Sequence, residues 1–426
     1  MSDNKKYGIQ VIIAAFMAYF VFFGYRSSFS VLLTPMTTDM GWDVAKVTAG
    51  YSIMMIIYAI TSYFAGVIFN RFGIKFCFGI ASVTAFFGYY LTSIANNYFA
   101  YLVPYTIFAG VATAMLFVPA TSSVRSWHIG SAYGRAFGFA QSGACVAQVI
   151  LTLGLKAALL TMDWRFAMTM LAFISMGLLV IATIVTKKPP KTYGMEPVGE
   201  IAAAGGPPAE AQVIWTVKDA FGTYALWGTI ACFFCACFSE FLIWSQLVSY
   251  WVKDVELSLS TSTNLYALIG FLGIILAPTL GAFSDKYAQS IGDEAAARRN
   301  LMMIAPAVGV VAMLFLISGA SGFTLSLIAA ILFPIYWMMM PAQVTGYIGA
   351  IFGRASFPQI WGLATLIIMG VGPAAGSYLG AKLFVVYGSY RVSFIMATVM
   401  FVLSAIFALT LPKKFDKLPG SMQPKV

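Results

Sequence analysis

Two residues of the chain carry charge where charge is costly. Arg26 stands in the run Phe23-Gly24-Tyr25-Arg26-Ser27-Ser28, and Glu240 stands in Phe238-Ser239-Glu240-Phe241. A charged side chain at the centre of a membrane helix costs about 2.5–3.5 kcal/mol on insertion scales, so one that is retained marks a functional position by default. A guanidinium offers a planar fork that grips a carboxylate through two parallel hydrogen bonds and stays charged. A carboxyl group takes up a proton or faces a cation. The two residues lie 214 positions apart.

Three uses of these charges stand open. Arg26 binds a substrate carboxylate or other anion while Glu240 takes up a proton or a cationic group. Alternatively, the two form an ion pair that closes the outer end of a path. Or each is satisfied separately by backbone and water. The first two are compatible, because an anion that displaces the glutamate from the arginine, with the glutamate then protonated, couples anion movement to protons. Both signs together also suit a zwitterion such as an amino acid or a betaine. Counted at 1.5 Å per residue from mid-span, each charge lies about 9 Å toward the outer face. Arg26 and Glu240 are therefore expected to face one aqueous path.

Polar and aromatic residues recur near these positions. Tyr19 and Phe22 share the helix face of Arg26, and Trp244 and Cys237 share that of Glu240. Gln141 and Gln148 lie seven apart on one face. Tyr58, Tyr266, Tyr336, Trp337, Gln343, Gln359 and Trp361 complete the set, from which Tyr19, Tyr58, Gln141, Tyr266, Trp244, Tyr336 and Trp361 join Arg26 as candidate substrate contacts. The ordinary alternative for a membrane aromatic is lipid packing or the interfacial belt. For a midspan glutamine it is an interhelical hydrogen bond.

The elements that hold these residues follow from composition. Sixty per cent of the 426 residues are hydrophobic, 9% are charged, and the mean hydropathy is +0.86. A soluble domain carries about 25% charged residues, so lipid must cover this chain. Twelve apolar runs, each long enough for a bilayer core of about 30 Å, fall near 9–33, 46–69, 74–95, 98–123, 135–158 and 165–186, then 221–247, 263–283, 301–319, 323–348, 357–381 and 391–411. The first run exceeds a signal-peptide core and reads as an uncleaved span. Between the two sets, 187–219 is rich in Pro, Gly and charge and is expected to be a flexible linker. The expected domains are thus 1–186, a linker 187–219 and 220–426.

Of the 25 basic residues, eighteen fall in loops on the side of the N-terminus, six on the other, and Arg26 lies within a span. Cytoplasmic loops collect Lys and Arg, so both termini and the linker are expected in the cytoplasm of a cell-membrane protein. This explains the net charge of +10 without nucleic acid. The five cysteines fall in apolar runs and read as small buried residues. His128, the sole histidine, is expected to be a solvated loop residue. No nucleophile–base set, phosphate loop or metal cluster appears, so no enzyme, cofactor or metal is expected.

The halves repeat. Gly66-x-x-x-Asn70-Arg71 recurs as Gly281-x-x-x-Asp285-Lys286 at an offset of 215, and Gly134-Arg135-Ala136 recurs as Gly353-Arg354-Ala355 at 219. Six spans per unit leave both copies in the same orientation, the arrangement of parallel transporter repeats with a midplane site between them.

On these residues the chain resembles the major facilitator superfamily. Gly66-Val67-Ile68-Phe69-Asn70-Arg71-Phe72-Gly73-Ile74-Lys75 is similar to the family's loop 2–3 signature, G-x-x-x-D-R-x-G-R-R/K, with Asn70 in place of the acid; the second half keeps Asp285. The resemblance implies an all-α membrane protein of twelve helices in two pseudo-symmetric bundles. It also implies alternating access, and a conformational latch at Gly66, Asn70, Arg71, Gly73, Gly281 and Asp285. Pro35 with Gly41-Trp42, Arg135-Ala136-x-Gly138, Asp163-Trp164-Arg165 and Tyr193-Gly194-Met195-Glu196-Pro197 look like the monocarboxylate and oxalate/formate porter branch. That branch commonly has Arg before the proline of helix 8, where this chain has Ala277-Pro278, and oxalate carriers have a helix 11 lysine that this chain lacks. The expectation is a monomeric carrier of a small organic anion in symport with protons or in exchange for another anion. A membrane sensor on the same scaffold is the competitor from another class.

Overall fold

The computed structural model describes residues 3–42, 44–199, 214–244, 246–318 and 322–413. Among them, twelve helices are long and apolar enough to cross a membrane. They are α1 (Asp3–Met40), α2 (Val44–Phe72), α3 (Ile74–Ser93), α4 (Tyr98–Trp127), α5 (Tyr133–Ala158), α6 (Trp164–Val185), α7 (Tyr224–Trp244), α8 (Leu259–Ile291), α9 (Glu294–Ser318), α10 (Phe323–Phe352), α11 (Phe357–Tyr387) and α12 (Arg391–Thr410).

Local chemistry sets several ends. Asn97, Asp163 and Ser258 cap α4, α6 and α8, their side-chain oxygens accepting from Ala100, Phe166 and Thr261 backbone N–H groups at 2.9, 2.7 and 3.1 Å. These bonds satisfy donors that a helix start leaves unpaired. Gly73 (φ 80°) and Gly292 (φ 73°) make the turns α2–α3 and α8–α9, where a positive φ favours glycine. Pro104 opens a π-helical segment, Pro104–Phe108, inside α4, where the missing N–H relaxes the regular ladder. Helix α8 runs well past the expected 263–283 because Ser284, Asp285 and Lys286 continue it.

The chain divides into two compact units, residues 1–127, 139–197 and 365–371, and residues 128–138, 198–364 and 372–426. In the first unit α1 packs on α4 and α6, α2 on α3 and α4, and α3 on α4 and α6. In the second the same pairs recur six helices later: α7 on α10 and α12, α8 on α9 and α10, α9 on α10 and α12. The sequence duplication is therefore a duplication of packing. Large apolar side chains such as Phe64, Phe99, Phe173 and Ile184 stay exposed on the helices, as lipid-facing residues must.

The linker differs from its expectation. Its first part is ordered: Lys188 O accepts the Trp127 indole N–H at 3.0 Å, and Tyr193 packs edge-on to Tyr7 with centroids 5.2 Å apart. Aromatic side chains thus pin residues whose own composition builds no core. In the second unit, Ile129 N donates to Val198 O at 3.0 Å. His128 bridges Val198 and is only 4% exposed, so the expectation of a solvated histidine fails because the returning chain covers it. Residues 200–213 of the linker lie outside the described residues.

Candidate transport site

In the first unit, α1 is keyed onto α3 immediately beside Arg26. The Tyr25 ring stacks on Tyr89 at 4.2 Å and 3°, and its hydroxyl donates to Ala85 O at 2.9 Å. One turn on, Ser28 Oγ lies 3.1 Å from the Tyr89 hydroxyl. These contacts fix the rotation of α1 and leave Arg26 on another face. The guanidinium carbon lies 5.3 and 5.5 Å from the ring centroids of Phe22 and Phe23, within cation–π range. Tyr51 of α2 hydrogen-bonds Arg26 and stacks on Phe29 at 4.8 Å.

An aromatic wall continues toward the N-terminal end of α1. Phe22 stacks on Phe117 at 4.9 Å, Tyr58 meets Phe22 edge-on at 5.9 Å, and the Tyr19 and Thr121 hydroxyls lie 2.6 Å apart. Tyr19 and Tyr58 are fully buried members of this wall. On α5, Gln141 and Gln148 are 6% and 4% exposed. Neither polar atom of the Gln148 amide has a hydrogen-bond partner among the described residues, nor does Gln141 Oε1. Leaving a buried polar group unsatisfied costs about 1–3 kcal/mol, so this pair calls for an explanation.

In the second unit, Glu240 of α7 is 9% exposed. The Tyr336 hydroxyl lies 3.0 Å from Ala236 O and 3.4 Å from Glu240 Oε2. One turn beyond Glu240, the Trp244 ring contacts Trp337 at 4.9 Å, Tyr266 at 5.1 Å and Phe333 at 5.8 Å. The fold thus gathers Glu240, Trp244, Tyr266 and Tyr336 from three helices. Trp361 stands apart from this group: it is fully buried on α11 beside Phe233 and Phe357, with centroids 6.2 Å from each.

The repeated glycine-acid motif builds a separate cluster. The two oxygens of Asp285 accept from the Gly134 and Arg135 backbone N–H groups at 2.7 and 2.8 Å, and Arg298 Nη2 pairs with Oδ1 at 2.8 Å. The acid therefore caps the start of α5, where unpaired N–H groups and the helix dipole favour negative charge. Arg298 is fully buried, and also meets the Gly130 carbonyl at 3.0 Å, Glu294 at 3.6 Å and the Ser284 hydroxyl. Gly281 permits the approach: a Cβ there would lie 2.1 Å from Gly134 O. In the first half, Gly66 is buried while Asn70 and Arg71 are exposed, Arg71 lying 5.2 Å from the Phe72 ring centroid.

Sequence reasoning misses Arg298, one of the eighteen basic residues counted outside the apolar spans, although its position four residues after Glu294 at the start of α9 is a usable signal. It also misses Tyr25, Tyr89 and Tyr51, whose roles depend on tertiary stacking.

Twelve helices long and apolar enough to cross a membrane, packed in a repeated pattern, define a polytopic membrane protein. The profile of the Major Facilitator Superfamily matches residues 15–369, and the chain belongs to that superfamily. It is similar to the MFS-type transporter pytF of Aspergillus terreus, 24% identical over 43% of this chain and 63% of that protein. It is also similar to the Fujikurins efflux protein of Gibberella fujikuroi, 26% identical over 35% and 32%. The alignments thus span less than two thirds of these relatives' length. Among solved structures, the proton:xylose symporter XylE superposes with a TM-score of 0.72 at 14% identity, covering 96% of this chain and 97% of that one. The human organic anion transporter MFSD10 superposes with a TM-score of 0.68 at 12% identity, covering 96% and 100%. This family and this fold are those of transporters and not of an enzyme.

Proposed function

We propose that this transporter moves a small organic anion by alternating access, in symport with protons or in exchange for another anion. Arg26 holds the carboxylate, and Glu240 exchanges a proton or gates the path. The observation that carries the reading is Arg26 within a membrane-spanning helix, its guanidinium set against the Phe22 and Phe23 rings and the Tyr51 hydroxyl. A planar cation presented this way suits a carboxylate better than a sugar. Tyr19, Tyr58 and Gln141 belong to the same unit and complete the anion side. Tyr266, Trp244 and Tyr336 surround Glu240 on the coupling side, and Trp361 lies apart from them on α11. The motif residues Gly281 and Asp285, with Gly66, Asn70, Arg71 and Gly73, govern conformational exchange. We place the protein in the cell membrane as a monomer with both termini cytoplasmic, as the bias of basic residues suggests.

A second reading has its own support. The Trp244, Tyr266 and Trp337 rings beside Glu240 are chemistry that recognises an ammonium group, which favours a zwitterion. Uptake into proteoliposomes separates these readings. Monocarboxylates, dicarboxylates and betaines are offered with and without an inside-alkaline pH gradient. Accumulation of an anion under the gradient, or anion-dependent counterflow, supports the proposal. Uptake confined to neutral sugars refutes it.

A further inference from the structure

Several buried side chains hold a polar atom without a hydrogen-bond partner among the described residues, and in Gln148 both amide atoms lack one. The ordinary role of a midspan glutamine is a hydrogen bond to a neighbouring helix. Gln148 makes none among the described residues, with either polar atom. Its surroundings can be read from the seam between α1 and residues 139–158 of α5, which belong to the first unit. Leu151 Cδ1 would lie 3.2 Å from a Cβ on Gly24, and a Cβ on Gly143 would lie 2.2 Å from Phe16 O. Both contacts pair residues 127 positions apart, so the helices run parallel in one register. Gln148 is then level with Val21, five residues before Arg26, or about 7–8 Å along the axis.

The same count gives direction. At 100° per residue, Gln141 and Gln148 lie about 100–120° from the contact line of α5, within about 20° of each other. Arg26 lies about 120° from the contact line of α1 in the opposite sense. On parallel neighbours these rotations project to the same side of the seam. Tyr19 projects there too. The guanidinium and the unpartnered amide therefore line one wall, separated by the length of a short carbon chain.

A neutral amide both donates and accepts, and the small group that answers both capacities is a hydroxyl. We infer that Gln148 reads a hydroxyl group on a substrate whose carboxylate sits on Arg26. The substrate class is a hydroxylated carboxylate of about four to six carbons rather than a plain fatty acid. A buried amide left unsatisfied by an aliphatic chain discriminates strongly against it. This inference rests on the assignment of Arg26 to the carboxylate.

The test is equilibrium binding of D-gluconate and of hexanoate to the purified full-length transporter and to Gln148→Leu and Gln148→Met. Wild type is expected to bind gluconate at least about tenfold more tightly than hexanoate. Both variants should lose that preference while keeping hexanoate binding, which also reports a folded site. Equal wild-type affinities, or gluconate binding unchanged in both variants, overturn the hydroxyl assignment alone. Binding of neither acid by wild type overturns the carboxylate reading and this inference with it.

Discussion

Replacing Asp285 by Ala removes three interactions at once. The Gly134 and Arg135 N–H groups lose acceptors at 2.7 and 2.8 Å, and Arg298 loses its partner at 2.8 Å. Breaking a buried ion pair from one side costs about 3–5 kcal/mol, because the surviving charge is left uncompensated. Arg298 keeps the Gly130 carbonyl at 3.0 Å and Glu294 at 3.6 Å, so the expected loss sits near the lower end, about 3 kcal/mol. At roughly 2–4 °C per kcal/mol for a unit of this size, apparent melting should fall by about 6–12 °C. The assay is loss of the monodisperse peak in fluorescence-detected size exclusion after heating, at a single heating rate. Adding Arg298→Met removes the stranded charge and should recover at least about half of the loss. A single-variant shift under about 2 °C, or a double variant that loses the sum of both singles, refutes the argument.

Three further outcomes are expected. Arg26→Lys keeps the charge but loses the fork, so anion uptake should fall about tenfold or more, whereas uptake equal to wild type would remove the bidentate argument. Glu240→Gln should abolish accumulation driven by a pH gradient while leaving solute exchange in counterflow; retention of both would exclude Glu240 as the proton carrier. Gly281→Ala sets a Cβ against the Gly134 backbone and should lower folded yield sharply. Gly154→Ala in α5 meets open space and should be neutral or stabilising by up to about 1 kcal/mol. Equal melting of the two variants would show that the close approach at Gly281 is unimportant.

The twelve spans and the duplication were legible because lipid imposes long apolar runs and because motif spacing survives in the chain. The repeat offsets even anticipated that helix pairs would recur six helices apart. Helix ends were less legible, since Asp285 and Lys286 look like loop residues until the α5 N–H groups that the acid caps are in view. Arg298 illustrates the same limit: in the sequence it is one more basic residue of a loop, and in the fold it is fully buried against Asp285. His128 looked solvated because the segment that covers it lies 70 residues away, at Val198. At the candidate site, helical spacing placed Tyr19 with Arg26 and Trp244 with Glu240. It gave no sign that Trp361 would pack between phenylalanines, or that Gln148 would be buried without a partner. Such facts depend on which helices become neighbours, and one-dimensional periodicity does not contain them.

Whether Arg26 recognises a carboxylate is tested most directly by calorimetric titration of an organic acid into the purified protein, comparing wild type with Arg26→Gln. The account predicts measurable binding by wild type, weakened at least about thirtyfold in the variant, since a charge-assisted pair contributes about 2 kcal/mol or more. Wild-type affinity retained in Arg26→Gln would contradict it.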